Sequence, residues 1–123
     1  MRLFLTPSHV EIRVGENAKD NDIIIKQSHQ DYLWCHLENS PSPHVVICSR
    51  EPDPDSIMYA CQLVKYYSKF SESGQVNIIL SKIRDISRVD PNTPGLVELK
   101  KKPIRKTVRT QLPALRDLGL NNE

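Results

Sequence analysis

Cysteine, aromatic side chains and long apolar runs are all scarce in this chain, and each shortage excludes something. The 123 residues hold three cysteines, Cys35, Cys48 and Cys61, with no C-x-x-C pair. An odd count set inside apolar segments argues against a disulfide framework and for a reducing compartment, so the cytoplasm is the expected location. Each thiol reads as a small buried hydrophobe. A zinc site on Cys35, His36 and His44 lacks ligand spacing. Aromatic residues make up 6% of the chain, and Trp34 is the single tryptophan. No segment approaches the roughly 20 apolar residues that a membrane span needs. The first apolar stretch, Leu3-Phe4-Leu5, stops at Thr6-Pro7, short of the about 7 to 15 residues of a signal-peptide core. Catalytic signatures are missing too. There is no G-x-S-x-G elbow, no H-E-x-x-H, and a lone Gly15 where a phosphate loop needs G-x-x-x-x-G-K-[ST]. No enzyme activity and no cofactor are expected.

What is present fits one domain by size. The stretch from Asp31 to Cys48 organises it. Leu33–Leu37 is a short apolar strand, Glu38–Pro43 is a turn segment, and Val45–Cys48 is an uninterrupted apolar, β-branched run. Such a run is the pattern of a strand covered on both faces, so it belongs at the centre of a sheet. Before it, Arg2–Leu5 and the alternating Val10–Val14 predict a hairpin, and a short helix follows over Asn17–Gln27. After it, Asp53 can cap a helix with Pro54 in its first position. The spacing of Ile57, Ala60, Cys61 and Val64 carries that helix to about Phe70. Gln75–Leu80 reads as a strand, Lys82–Arg88 as a basic run around two isoleucines, Val89–Gly95 as a loop and Leu96–Leu99 as a strand. A last strand spans Ile104–Val108, where Pro103 argues for a sheet edge. Leu112–Leu120 is expected to be loosely attached. The fold class is therefore α+β: a mixed, mostly antiparallel sheet with one long and one short helix packed on it.

Charge is distributed unevenly. Residues 1–98 carry 10 Lys+Arg against 13 Asp+Glu, net −3, whereas residues 99–123 carry 7 against 2, net +5. Six of those cations fall between Lys100 and Arg109 without an acid among them. A basic stripe on a near-neutral body points to a polyanion. Lys100, Lys101, Lys102, Arg105 and Lys106 are the candidate phosphate contacts, with Lys82 and Arg84 supporting them. Lys and Arg give backbone affinity without reading sequence. Nothing resembles a base-reading helix, so RNA recognised by shape and backbone is the favoured ligand. The alternative is an interaction adaptor that docks an acidic protein through the same segment. A small enzyme working through the His36–His44 loop ranks last. Those two histidines flank one loop and can orient it, line the ligand surface or simply sit in the core.

Several ordered motifs give the chain a resemblance. They are Gly15-Glu16-Asn17 with Asn21-Asp22; Asp31-Tyr32-Leu33-Trp34-Cys35-His36; Pro41-Ser42-Pro43-His44-Val45-Val46; Glu51-Pro52; Tyr66-Tyr67-Ser68-Lys69; and the basic strand, loop and strand from Lys82 to Val97. In this order they resemble the NFACT-R domain, the RNA-binding domain of the NFACT proteins of ribosome-associated quality control, over about Leu3 to Thr107. The resemblance implies an NFACT-R-like domain over residues 1–110 with a C-terminal tail over 111–123, and a solitary member of the family. It implies RNA, tRNA or ribosomal, or the ribosome itself as partner. It also implies a motif loop built from Gly15, Asn17, Asn21, Trp34, His36 and His44 beside the contact surface. Two positions depart from the pattern. Glu16 stands where the family has arginine, and Ser42-Pro43 replaces Gly-Ser, which stiffens that loop.

Overall fold

The computed structural model describes residues 1–90 and 92–120. Pro91 of the predicted loop and the last three positions of the predicted tail lie outside the described residues. Strands β1 (Arg2–Leu5), β2 (Glu11–Val14), β3 (Leu33–Leu37), β4 (Val45–Ile47), β5 (Gln75–Lys82) and β8 (Ile104–Arg109) form one sheet in the order β1-β2-β4-β3-β5-β8. Strands β6 (Ile86–Arg88) and β7 (Val97–Leu99) form a second, two-stranded sheet. Each described pairing is antiparallel. The helices are α1 (Ala18–Gln27), α2 (Pro54–Tyr66) and a short α3 (Leu112–Asp117).

Strand β4 lies centrally, and Val45, Val46 and Ile47 are fully buried. Strand alternation divides their cover. Val45 and Ile47 join Leu33, Cys35, Leu37, Ile78 and Leu80 under α2. Val46 joins Trp34, Ile24 and Ile25 of α1, and Ile83 and Ile86, on the other face. The small sheet and α1 therefore cover only part of that second face. Cys35 and His36, neighbours in sequence, point to opposite faces, which separates the thiol from the two histidines.

Asp53 caps α2: its carboxylate accepts from Ser56 N–H at 3.4 Å and from Ser56 Oγ at 2.5 Å. The helix ends at Tyr66, one turn before the expected Phe70. Ser68 turns back there, donating from both Oγ (2.8 Å) and N–H (3.1 Å) to the Lys65 carbonyl. A hydroxyl that competes for a helix carbonyl favours the turn over another helical residue.

The segment after Thr110 is not loosely attached. Ala114, Leu115 and Leu118 are buried, and α2 supplies the polar ties. Tyr59 Oη donates to Asp117 at 2.6 Å. Gln62 donates to the Arg109 carbonyl at 2.7 Å and accepts from Gln111 N–H at 2.9 Å. Lys65 Nζ reaches Thr110 Oγ1 at 2.6 Å and the Ser71 carbonyl at 2.9 Å. Each partner sits in α2, so the tail's own composition could not reveal the attachment.

Candidate nucleic-acid interface

The motif residues meet in one interlocked cluster. Gly15, at the end of β2, donates its N–H to the His44 carbonyl at 3.0 Å. His44 N–H in turn donates to Asn21 Oδ1 at 3.1 Å. A Cβ on Gly15 would fall 1.8 Å from that same oxygen, so the position requires glycine for close approach. Asn17 caps α1, accepting from Asp20 N–H at 2.8 Å. Trp34 Nε1 donates to His44 Nδ1 at 3.2 Å, which places the proton of the neutral His44 ring on Nε2. Gly95 holds φ +81°, with Ala18 O 3.1 Å from where a Cβ would be. The His36 ring stacks on Trp34 at 5.5 Å and meets His44 edge-on at 5.2 Å.

Electrostatics keep both imidazoles neutral. Burial pushes His44 down to about 3, helped by the charged form of His36 and opposed by Asp22 and the Gly95 carbonyl. Burial also lowers His36, against a hydrogen bond to the Leu37 carbonyl. With Nδ1 of His44 engaged by Trp34 and 3% of the residue exposed, that side chain holds loops together rather than meeting solvent.

Above this cluster lies a cleft of about 420 Å³. Its walls are Gly15–Ala18 and Asn21, Pro41–Pro43, and Tyr67–Lys69, with Arg2 at the rim. Three of the sequence motifs thus converge on it. The Arg2 guanidinium lies 4.5 Å from the centroid of the Tyr67 ring and 3.2 Å from Glu16. Glu16 also holds the Met1 ammonium at 2.8 Å, so the carboxylate at position 16 has two local cationic partners.

The predicted cations separate into groups. Lys82 Nζ donates to the Asp31 and Arg50 carbonyls at 3.3 and 3.1 Å. Arg84 pairs with the Asp31 carboxylate, Nε at 2.9 Å, and holds that carboxyl below its usual range. Lys100 Nζ reaches the Arg84 carbonyl at 3.2 Å, and Lys101 stands 3.8 Å from Asp85. These four surround the small sheet. Arg105 lies on β8, its Nε 2.7 Å from Glu38. Lys102 and Lys106 have no ion-pair partner among the described residues. Register then divides β8 itself. Arg105 pairs with Ile79 and Lys106 with Ile78, so Lys106 projects to the α2 side, where its charge acts on the Cys61 thiol. Thr107 joins the Arg105 face and donates to Asn77 Oδ1 at 2.7 Å. Asn77 and Glu38 were not expected at this surface; the β5–β8 register puts Asn77 on the face that Arg105, Thr107 and Arg109 share by strand alternation.

The family model described as the NFACT protein RNA binding domain matches residues 1–101. Among curated relatives, the Rqc2 homolog RqcH of Bacillus subtilis (strain 168) is 33% identical over 98 residues, which is 79% of this chain and 17% of that protein. The protein of the same name from Streptococcus suis (strain 05ZYH33) is 29% identical, over 78% of this chain and 18% of its own. The chain therefore spans less than a fifth of the length of either relative. Among solved structures, the C-terminal part of the fibronectin/fibrinogen-binding protein from Streptococcus suis superimposes with a TM-score of 0.86. The match covers 94% of this chain and 47% of that one at 23% identity, and shows a shared fold. With the fold, the motif cluster and a family match over residues 1–101 in agreement, the chain belongs to the family of NFACT protein RNA binding domains.

Proposed function

We propose that this domain is a non-catalytic RNA-binding module of the cytoplasm, engaging tRNA or ribosomal RNA in the setting of ribosome quality control. One observation carries the reading. The cations from Lys100 to Arg109 are all exposed, on the turn before β8 and along that edge strand. Two carboxylates, Asp85 and Glu38, approach this segment, and they pair with Lys101 and Arg105. Those two cations are 73% and 62% exposed. Exposed pairs contribute only about 0.2–1 kcal/mol each, so phosphates displace them readily. Lys100, Lys101, Lys102 and Arg105 are the proposed phosphate contacts, with Lys82 and Arg84 alongside.

The test is RNA affinity measured across salt concentrations. Changing Lys100, Lys101 and Lys102 together to Ala removes three phosphate contacts, and the log–log salt slope should become shallower by about 2. An unchanged slope counts against the reading. A second reading, docking of an acidic protein strand, draws on the position of β8 at the sheet edge, where backbone groups are open to strand addition. A complex that survives nuclease treatment would favour it.

A further inference from the structure

We propose that single-stranded RNA lies on the uncovered face of the β3–β5–β8 half-sheet, on the side away from α2. This inference rests on the RNA-binding reading above and names its surface. The second face of the main sheet is covered by α1 and the small sheet only as far as Trp34 and Ile79. Beyond them the register places Gln75 beside Arg109 and Asn77 beside Thr107. The Thr107–Asn77 hydrogen bond confirms that these side chains share one side. Val76, Ile78 and Leu80, the alternate residues of β5, are in the α2 core.

The result is an exposed polar strip with Arg105 and Arg109 on its outer strand. They stand four positions apart, about 13 Å along an extended strand. Arg109 lies against the chain where β5 begins: its guanidinium would be 3.2 Å from a Cβ on Gly74. Two cations face one carboxylate here, Glu38, so the strip favours a polyanion.

Where the strip meets the end of the sheet there is a recess of about 260 Å³, lined by Gln75, Asn77 and the Glu38–Ser40 turn and floored by Leu37, Val76 and Phe70 at the margin of the α2 core. That is smaller than the roughly 300 Å³ lower bound for a drug-sized ligand, and it suits one planar base against an aromatic ring. Only an unpaired base can enter it, and unstacked bases in single-stranded RNA are what side chains can reach. Glu38 acts as an internal competitor. Its carboxylate occupies the Arg105 guanidinium that a phosphate would otherwise take.

The experiment compares single substitutions on the full chain by fluorescence anisotropy with a labelled single-stranded RNA, near physiological salt. At that ionic strength charges farther apart than about 8 Å are largely screened, which isolates the two faces of β8. Arg105→Gln and Arg109→Gln should each weaken binding by about three- to ten-fold. Glu38→Gln should strengthen it by about two-fold or more, because a neutral amide releases Arg105. Lys106→Gln, one residue along but on the α2 side, should leave affinity within about two-fold. A duplex RNA of equal length should compete poorly. Urea midpoints within error of the parent show that each variant is folded. If Lys106→Gln weakens binding as much as Arg105→Gln, or if duplex competes as well as single strand, the face assignment is overturned while RNA binding stands. If the unaltered protein binds no RNA, the reading beneath it is overturned as well.

Discussion

Replacing Gly15 with alanine should destabilise the protein for a single identifiable reason. At a backbone position that tolerates a side chain, Gly→Ala stabilises by about 0.4–1 kcal/mol, because the unfolded chain loses freedom. Here the new Cβ would sit 1.8 Å from Asn21 Oδ1 and 2.9 Å from its Cγ. The amide has to swing away, and the His44 N–H that donates to it at 3.1 Å loses its acceptor. An orphaned buried donor costs about 1–3 kcal/mol, and forcing an extra carbon into packed surroundings adds about 1–3 kcal/mol. The net expectation is a loss of about 3 kcal/mol, or roughly 10 °C in Tm for a domain of this size. Urea unfolding followed by the fluorescence of Trp34 reads it as a lower midpoint at unchanged slope. The double variant separates clash from backbone effect. Asn21→Ala alone leaves the same N–H unpaired, at about 1–3 kcal/mol. It also removes the oxygen, so adding Gly15→Ala to it should cost close to nothing. The Asn21 Cα, 3.3 Å from the new carbon, remains and prevents a gain. If the two losses add within about 0.5 kcal/mol, the steric lock between these motif residues does not exist.

Two further outcomes follow from the same coordinates. His44 is held neutral, with its pKa pushed down to about 3, and His36 is lowered as well, each chiefly by burial. The unfolded chain protonates both near their ordinary 6.5, so stability is fully present above that pH and is lost as pH falls below it. The loss should reach up to about 1.4 kcal/mol per pH unit for each histidine. The carboxylates whose pKa is lowered, Glu16, Asp20, Asp22, Asp31 and Asp53, withdraw their own contribution below about pH 5, so urea midpoints between pH 7 and about pH 5 isolate the histidines. A flat profile there refutes the neutral pair. Gln62→Ala removes both ties that seat the joint between β8 and α3 and should cost about 2–3 kcal/mol. It should also expose the segment after Thr110 to limited proteolysis; an unchanged cleavage pattern would mean that apolar packing alone holds α3.

Much of the fold was legible because two periodicities carried it. The run from Val45 through Ile47 announced a strand covered on both sides, and Asp53-Pro54 announced a helix start. The end of α2 was not legible, since the helical stripe continues through Tyr67 and Phe70. What stops the helix is the Ser68 hydroxyl bonding back to Lys65, a competition that hydrophobic spacing does not register. The helix after Thr110 was missed for a related reason. Ala114, Leu115 and Leu118 are too few to mark an element by themselves, and Tyr59, Gln62 and Lys65 hold that segment from the middle of another helix.

Charge counting singled out one segment and blurred its geometry. A run of cations in sequence becomes two sets once the chain is extended, because alternate side chains leave a strand on opposite sides. Arg105 and Lys106 are the clearest case: adjacent in sequence, one stands over Ile79 and the other over Ile78. The cations nearer the small sheet are partly engaged by carbonyls and by Asp31 and Asp85, pairings that close only when distant loops meet. The histidines show the converse. Their motif spacing marked them as important, and His44 is tied into the scaffold: Trp34, Asn21 and Gly15 each hydrogen-bond to it under the cleft.

The departures from the family pattern bear on where a polyanion binds. Glu16 and Ser42-Pro43 both line the motif cleft, and both have local partners. Glu16 holds Arg2 at 3.2 Å. Ser42 Oγ accepts from Leu37 N–H at 3.1 Å and donates to the Pro43 carbonyl at 3.0 Å. The cleft is thus intact in shape, and its two cations, Arg2 and Lys69, share it with one carboxylate that also holds the Met1 ammonium at 2.8 Å. Phosphate affinity grows with the number of cations along its path. The turn before β8 and the strand itself line up six exposed cations from Lys100 to Arg109, with Asp85 and Glu38 in reach of two of them. On the RNA-binding reading proposed above, that longer row is the expected phosphate track, and the motif cleft is the shorter one.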